Sequence, residues 1–202
     1  MRRTRKSQRG THELGIHEHK TSKGDHIAYL WESPEEFEEG VSFLEAAFRG
    51  PEHGVIFGHP DANDRVCAIL TARGHDIHAL QREGKLTILI GLPKGEEMLE
   101  TIGASFQAAA QGGAKLIRLL GNIGWGHEAW PGEQEILKFE AQVTEAAKSF
   151  PCVIMCMYDV AALSGRIIVH GAYETHPLTI RRNVLRENPH YVPIAEYLEG
   201  RD

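Results

Sequence analysis

His26-Ile27-Ala28-Tyr29-Leu30-Trp31, followed by Glu32-Ser33-Pro34-Glu35-Glu36-Phe37, reads as a strand that stops at a tryptophan and a helix that begins shortly after it. Ser33 carries the hydroxyl an N-cap needs, and Pro34 suits the first helical position, where its missing N–H would have no partner anyway. Glu36 stands three residues after Ser33, the spacing of a capping box. Strand-turn-helix units of this kind open α/β domains, and where the turn binds nucleotide phosphate it is rich in glycine. This turn holds carboxylates instead.

Beyond it, Phe37, Val41, Leu44 and Phe48 recur at helical spacing, and Gly50-Pro51 ends that helix. His53 to His59 has the pattern of a buried strand, Val66, Ile69 and Leu70 mark a helix closing at Gly74, and Ile77 and Leu80 mark a shorter one ending at Gly84. Leu86 to Ile90 is the third strand. Met98, Ile102, Phe106 and Ala110 form a helical stripe, Lys115 to Leu120 a fourth strand, Ile136, Phe139, Val143 and Ala146 another stripe, and Val153 to Tyr158 a very apolar strand. A helical stretch with Leu163, Ile167 and Ile168 precedes a last strand around Leu178 to Ile180. Strands alternating with helices predict an α/β fold in three layers, with a mainly parallel sheet covered by helices on both faces. Near the end, Tyr191, Ile194, Tyr197 and Leu198 line one face of a short helix that packs on the body or docks a partner, a second copy included.

The 202 residues suffice for one sizeable core. Residues 1–23 lack apolar periodicity and carry Arg2, Arg3, Arg5, Lys6 and Arg9, so they read as a basic, histidine-containing mobile tail before a single domain over 24–202. The net charge of −6 argues against nucleic acid or an anionic membrane as the partner of the folded body, leaving the tail as the segment suited to nucleic acid. Three cysteines make no disulfide framework and no apolar run reaches the length of a membrane span, which points to the cytoplasm.

In an open α/β sheet, ligands bind outside the carboxyl ends of the strands. That rule selects Trp31 and Glu32, His59 and Asp61, Asn122 and Trp125, and Tyr158 and Asp159 as the rim of a pocket for a small molecule. Each also has an ordinary structural role: the two aspartates as helix caps, Trp31 and Tyr158 as packing, His59 as a surface residue. A phosphate loop is excluded on firmer ground. Between Leu30 and Glu39 there is no Gly, Lys or Arg, and Glu32, Glu35, Glu36 and Glu38 would meet a triphosphate with like charge. No nucleophile elbow surrounds Ser105 or Ser164, so no catalytic residue is assigned. The reading assigns no metal ligands and no cofactor. His17-Glu18-His19 lacks structural zinc spacing, and Cys152 and Cys156 share a strand face but stand about 13 Å apart. Cys156 with His26 or His176 stays open beside the reading of core thiols.

In these residues the chain resembles the sensory domains named after methanogens, methylotrophs and the regulator of dichloromethane dehalogenation, the MEDS family. The matching features are Gly24-Asp25-His26-Ile27 leading into Trp31 to Glu36, Phe139-Glu140, Cys156-Met157-Tyr158-Asp159, Thr175-His176-Pro177, and Glu187 to Pro193. The resemblance spans Gly24 to Leu198. It implies a degenerate relative of the KaiC and RecA ATPase fold without a functional P-loop, which senses small molecules such as hydrocarbon derivatives and is commonly joined to a histidine kinase or a DNA-binding unit. It also brings His26, Cys156 and His176 into the ligand site. The expectation is therefore a non-catalytic signal-input domain serving a kinase or transcription regulator, with no such output segment visible in this chain. A residual nucleotide-binding protein and a ligand-free interaction scaffold are the alternatives.

Overall fold

A computed structural model of the protein describes residues 12–199. In chain order the elements are β1 (His12–Glu13), β2 (Lys20–Thr21), β3 (His26–Trp31), α1 (Pro34–Phe48), β4 (Glu52–Gly58), α2 (Pro60–Ala72), α3 (Ile77–Arg82) and β5 (Leu86–Ile90). They continue with α4 (Gly95–Gln111), β6 (Leu116–Asn122), α5 (Glu133–Ala147), β7 (Cys152–Asp159) and α6 (Gly165–Ile167), which runs into a π-helical turn over Ile168–Tyr173. β8 (Leu178–Arg181), β9 (Val184–Glu187) and α7 (Ile194–Glu199) complete the series. Seven strands form one sheet in the order β5-β4-β6-β7-β3-β8-β9. Every pairing in it is parallel except the β8–β9 hairpin, so the α/β expectation holds.

Side-chain alternation creates the layers. Ile27 and Tyr29 of β3, with Val153, Met155 and Met157 of β7, join Phe37, Val41 and Leu44 of α1 and Val66 and Leu70 of α2 on one face. Ala28 and Leu30, with Ile154, Cys156 and Tyr158, join Met98, Ile102 and Phe106 of α4 and Ile136, Phe139 and Val143 of α5 on the other. Burial on both faces is why these strands read as continuous apolar runs. On α7, Tyr197 is buried against Leu137 and Ala141, so that face is used by the domain itself.

The start of α1 has the expected Ser33 cap and Pro34 at its first turn, while Glu36 reaches back one residue further than a capping box requires. Ser33 Oγ accepts from the Glu36 N–H at 3.3 Å, and the Glu36 carboxylate accepts from the Glu32 N–H at 2.7 Å. Ser33→Ala is expected to cost about 1 kcal/mol, the usual worth of an N-cap side chain, read as a lowered urea midpoint. An unshifted midpoint would show that the cap contributes nothing here.

The expectation of a mobile tail through residue 23 needs correction. β1 and β2 pair as an antiparallel ribbon, and Leu14 and Ile16 between them are fully buried in the α1-face core. The anchor is Arg118, buried in mid-β6. It donates from Nε to the Glu52 carboxylate (2.6 Å) and from its two terminal nitrogens to the carbonyls of Glu13 (2.6 Å) and Leu14 (2.8 Å). Residues 1–11, with the basic cluster, lie outside the described residues. A second departure lies after β8, where Arg182 and Asn183 take positive φ (47° and 59°) and return the chain as β9.

Candidate functional site

The rim expected at the strand ends does not form one pocket, because the sheet divides its members. β3 and β7 pair in register, with Leu30 opposite Tyr158 and Trp31 opposite Asp159. Side chains alternate along a strand, so Trp31 and Tyr158 point to opposite faces. Trp31 stands edge-on to Phe37 at 5.1 Å between ring centres, with the Arg65 guanidinium 3.9 Å from the Phe37 ring and 5.4 Å from its own. Glu32 forms an exposed ion pair with Arg181 at 2.7 Å. Asp159 accepts from the N–H groups of Ala161 (2.9 Å) and Ala162 (3.2 Å), closing the turn after β7. Trp31 therefore belongs to the α1 side, Glu32 is tied to the end of β8, and Asp159 holds a turn.

His59, Asn122 and Trp125 do share a region, at the carboxyl ends of the adjacent strands β4 and β6, where Gly58 pairs with Asn122. The His59 ring stacks on His127 at 4.0 Å and 25°. Burial, then the nearby His127, lower the pKa of His59 and favour its neutral form. His59 Nδ1, Asn63 Oδ1, Asn122 Nδ2 and Trp125 Nε1 are all buried without a hydrogen-bond partner among the described residues. Of these residues Trp125 also lines an open cleft of about 480 Å³ between the loops after β6 and β7, with His127, Trp130, Glu133, Leu163 and Ile167 among its walls.

Behind Trp125 lies a buried polar cluster. Trp125 and Tyr158 ring centres are 6.3 Å apart, and the Tyr158 hydroxyl donates to Glu140 Oε1 at 3.2 Å. The other Glu140 oxygen lies 3.6 Å from Cys156 Sγ, 3.7 Å from His26 Nε2 and 3.6 Å from His176 Nε2. His26 Nε2 is 3.4 Å from Cys156 Sγ. These four residues are buried, and with no water to stabilise charge, each is pushed toward its neutral form. Burial raises Glu140 to about 8 and lowers His176 to about 3, while His26 is held well below and Cys156 well above their ordinary ranges.

Hydrogen bonds around the cluster determine the imidazole tautomers. Thr144 Oγ1 donates its single proton to the Thr175 carbonyl (2.7 Å), so toward His26 Nδ1 (2.8 Å) it can only accept. Thr175 Oγ1 likewise donates to the Gly171 carbonyl, which is also 3.1 Å from His176 Nδ1, so His176 Nδ1 must carry its proton as well. Both Nε2 atoms then turn a lone pair to the centre. The four donors His26, Glu140, Cys156 and His176 lie within 4.8 Å of one another, an arrangement able to hold a metal ion.

The resemblance supplied His26, Cys156 and His176, and their convergence with Glu140 comes from the fold. Glu140 and Thr144 were open to detection: both fall on the buried face of α5, beside Phe139 and Val143, where a polar side chain needs a partner. In the turn after β3, Ser33 and Glu36 occupy the N–H groups of Glu36 and Glu32.

The model of the family described as "MEthanogen/methylotroph, DcmR Sensory domain" (MEDS) matches residues 25–177, a segment containing every member of the buried cluster. The transcriptional repressor DcmR of Methylorubrum extorquens is 27% identical over 107 residues, 52% of this chain and 40% of the repressor. The chain thus matches less than half the length of that relative. No helix among the described residues is long and apolar enough to cross a membrane.

Proposed function

The chain belongs to the MEDS family of sensory domains, and from that membership we propose that it is a non-catalytic input domain that binds a small molecule and passes the signal to a regulatory partner. The observation that carries this reading is the set of buried polar atoms without partners on His59, Asn63, Asn122 and Trp125. A buried polar group left unsatisfied costs about 1–3 kcal/mol, so four in one region favour a bound polar molecule as their partner. The adjoining cleft has aromatic and aliphatic walls from Trp125, Trp130, Leu163 and Ile167, which suits a compound with a small apolar body and one polar group, such as a hydrocarbon derivative. The output is a kinase or transcription regulator, in keeping with the repressor the chain resembles.

The test is a thermal-shift titration of the native chain with small halides, alcohols and carboxylates. At saturating concentration a true ligand is expected to raise the melting temperature by roughly 5–10 °C. The double variant Asn122→Leu, Trp125→Phe removes two unpartnered donors and is expected to lose that shift while keeping its own melting temperature. An equal shift in both proteins would displace the site. No shift with any compound, together with a native mass spectrum free of adducts, would replace the sensing reading by that of a scaffold.

A further inference from the structure

We propose that His26, Glu140, Cys156 and His176 form a closed four-ligand site for one divalent ion of the zinc class. The proposal stands apart from the ligand reading of the rim, since metal content is measured with no organic compound present.

The first argument is shape. A tetrahedral zinc site with bonds of 2.0–2.3 Å separates neighbouring ligand atoms by about 3.3–3.7 Å. The four donor pairs with individual distances stand at 3.4, 3.6, 3.6 and 3.7 Å, and all four ligand atoms fall within 4.8 Å of one another. His26 comes from the interior strand β3, Cys156 from the adjacent central strand β7, Glu140 from α5 and His176 from the segment entering β8. Four elements distant in sequence thus place one donor each around a common point.

The second argument is the outer shell. Metal-bound imidazoles characteristically donate their other ring N–H to an oxygen, which aligns the ring and raises its basicity. Here Thr144 Oγ1 accepts from His26 Nδ1, while Thr175 Oγ1 and the Gly171 carbonyl surround His176 Nδ1. The Tyr158 hydroxyl steadies the Glu140 oxygen that does not face the centre. His176 Nε2 is fully buried and has no hydrogen-bond partner among the described residues, although it points at the other donors.

The third argument is charge. One thiolate and one carboxylate balance a dication, so the loaded site is neutral as a whole, the condition under which an ion can rest in an apolar core. Two imidazoles, a thiolate and a carboxylate are also a donor set that zinc accepts and that magnesium or calcium, which prefer oxygen, does not.

The experiment uses the full chain produced without a polyhistidine tag. Elemental analysis after exhaustive dialysis is expected to find one zinc per chain. Cobalt replacement is expected to give the intense visible bands of a tetrahedral ion and a thiolate-to-cobalt charge-transfer band. Cys156→Ser should abolish the charge-transfer band, and Thr144→Val, which removes the acceptor for His26 Nδ1 together with the donor to the Thr175 carbonyl but no metal ligand, should lower metal affinity 10–100-fold. Thr144→Val also keeps the test valid if Cys156→Ser does not fold. The control His17→Ala, His19→Ala removes the exposed His17 and the half-buried His19 of the turn between β1 and β2, and should leave metal content unchanged. A chain that takes up neither ion, a weak octahedral cobalt spectrum, uptake indifferent to both Cys156→Ser and Thr144→Val, or metal lost in the His17/His19 control would each overturn the proposal.

Discussion

Arg118→Met is expected to lower stability by about 3–5 kcal/mol and to release the β1–β2 ribbon from the sheet. Arg118 is among the largest fully buried side chains, and its charge is met by the Glu52 carboxylate and the carbonyls of Glu13 and Leu14. The Phe43 ring adds a cation–π contact at 5.3 Å. Methionine fills much of the same volume but leaves two carbonyls and a mostly buried carboxylate without their donors, and each such loss costs on the order of 1–3 kcal/mol. Arg118→Lys should recover only part of the loss, because an ammonium cannot present the planar fork that reaches three acceptors at once. Urea denaturation measures the stability, and hydrogen exchange at the Leu14 N–H, which bonds the His19 carbonyl at 2.8 Å, reports the ribbon. A loss below about 1 kcal/mol would place Arg118 among ordinary surface ion pairs and overturn the account of the ribbon's anchoring.

Gly91→Ala is expected to be of similar severity. A Cβ at Gly91 would lie 2.0 Å from two atoms of the Trp130 indole, and one at Gly124 would lie 2.6 Å from the same ring system. The indole is clasped between two stretches of backbone and packs on Phe57 at 5.5 Å. A rigid bicyclic ring has no flexible end that can swing aside, so the methyl group must expel it. Losing a buried tryptophan from its seat costs about 3–5 kcal/mol. Trp130 also lines the proposed ligand cleft, so the variant should lose ligand-induced stabilisation along with its own. A red shift of tryptophan emission would report the expelled ring. Wild-type stability and an unchanged emission maximum would show that the loop relaxes around the methyl group.

How far the molecule could be read in advance depends on how local each signal is. The strands and helices from His26 onward were legible because apolar alternation and helical spacing are carried by neighbouring residues. The β1–β2 ribbon was not, because Leu14 and Ile16 are too few to show a period. Their burial depends on Arg118, 104 residues beyond Leu14 in the chain. β9 escaped because Val184 to Glu187 has mostly exposed side chains and owes its place to an edge pairing.

From the residues alone came the α/β layering, the capped helix after Trp31 with its acidic turn, and, through family resemblance, His26, Cys156 and His176. Those features rest on local spacing, on charge or on a recognisable order of motifs. Only the tertiary structure decided that Trp31 and Tyr158 face opposite ways, because that follows from the pairing of β3 with β7. The same pairing sets Ala28 beside Cys156, which brings the thiol within 3.4 Å of His26, while α5 and the approach to β8 supply Glu140 and His176. Convergence of donors from four separate elements is a property of packing, and no spacing along the chain encodes it.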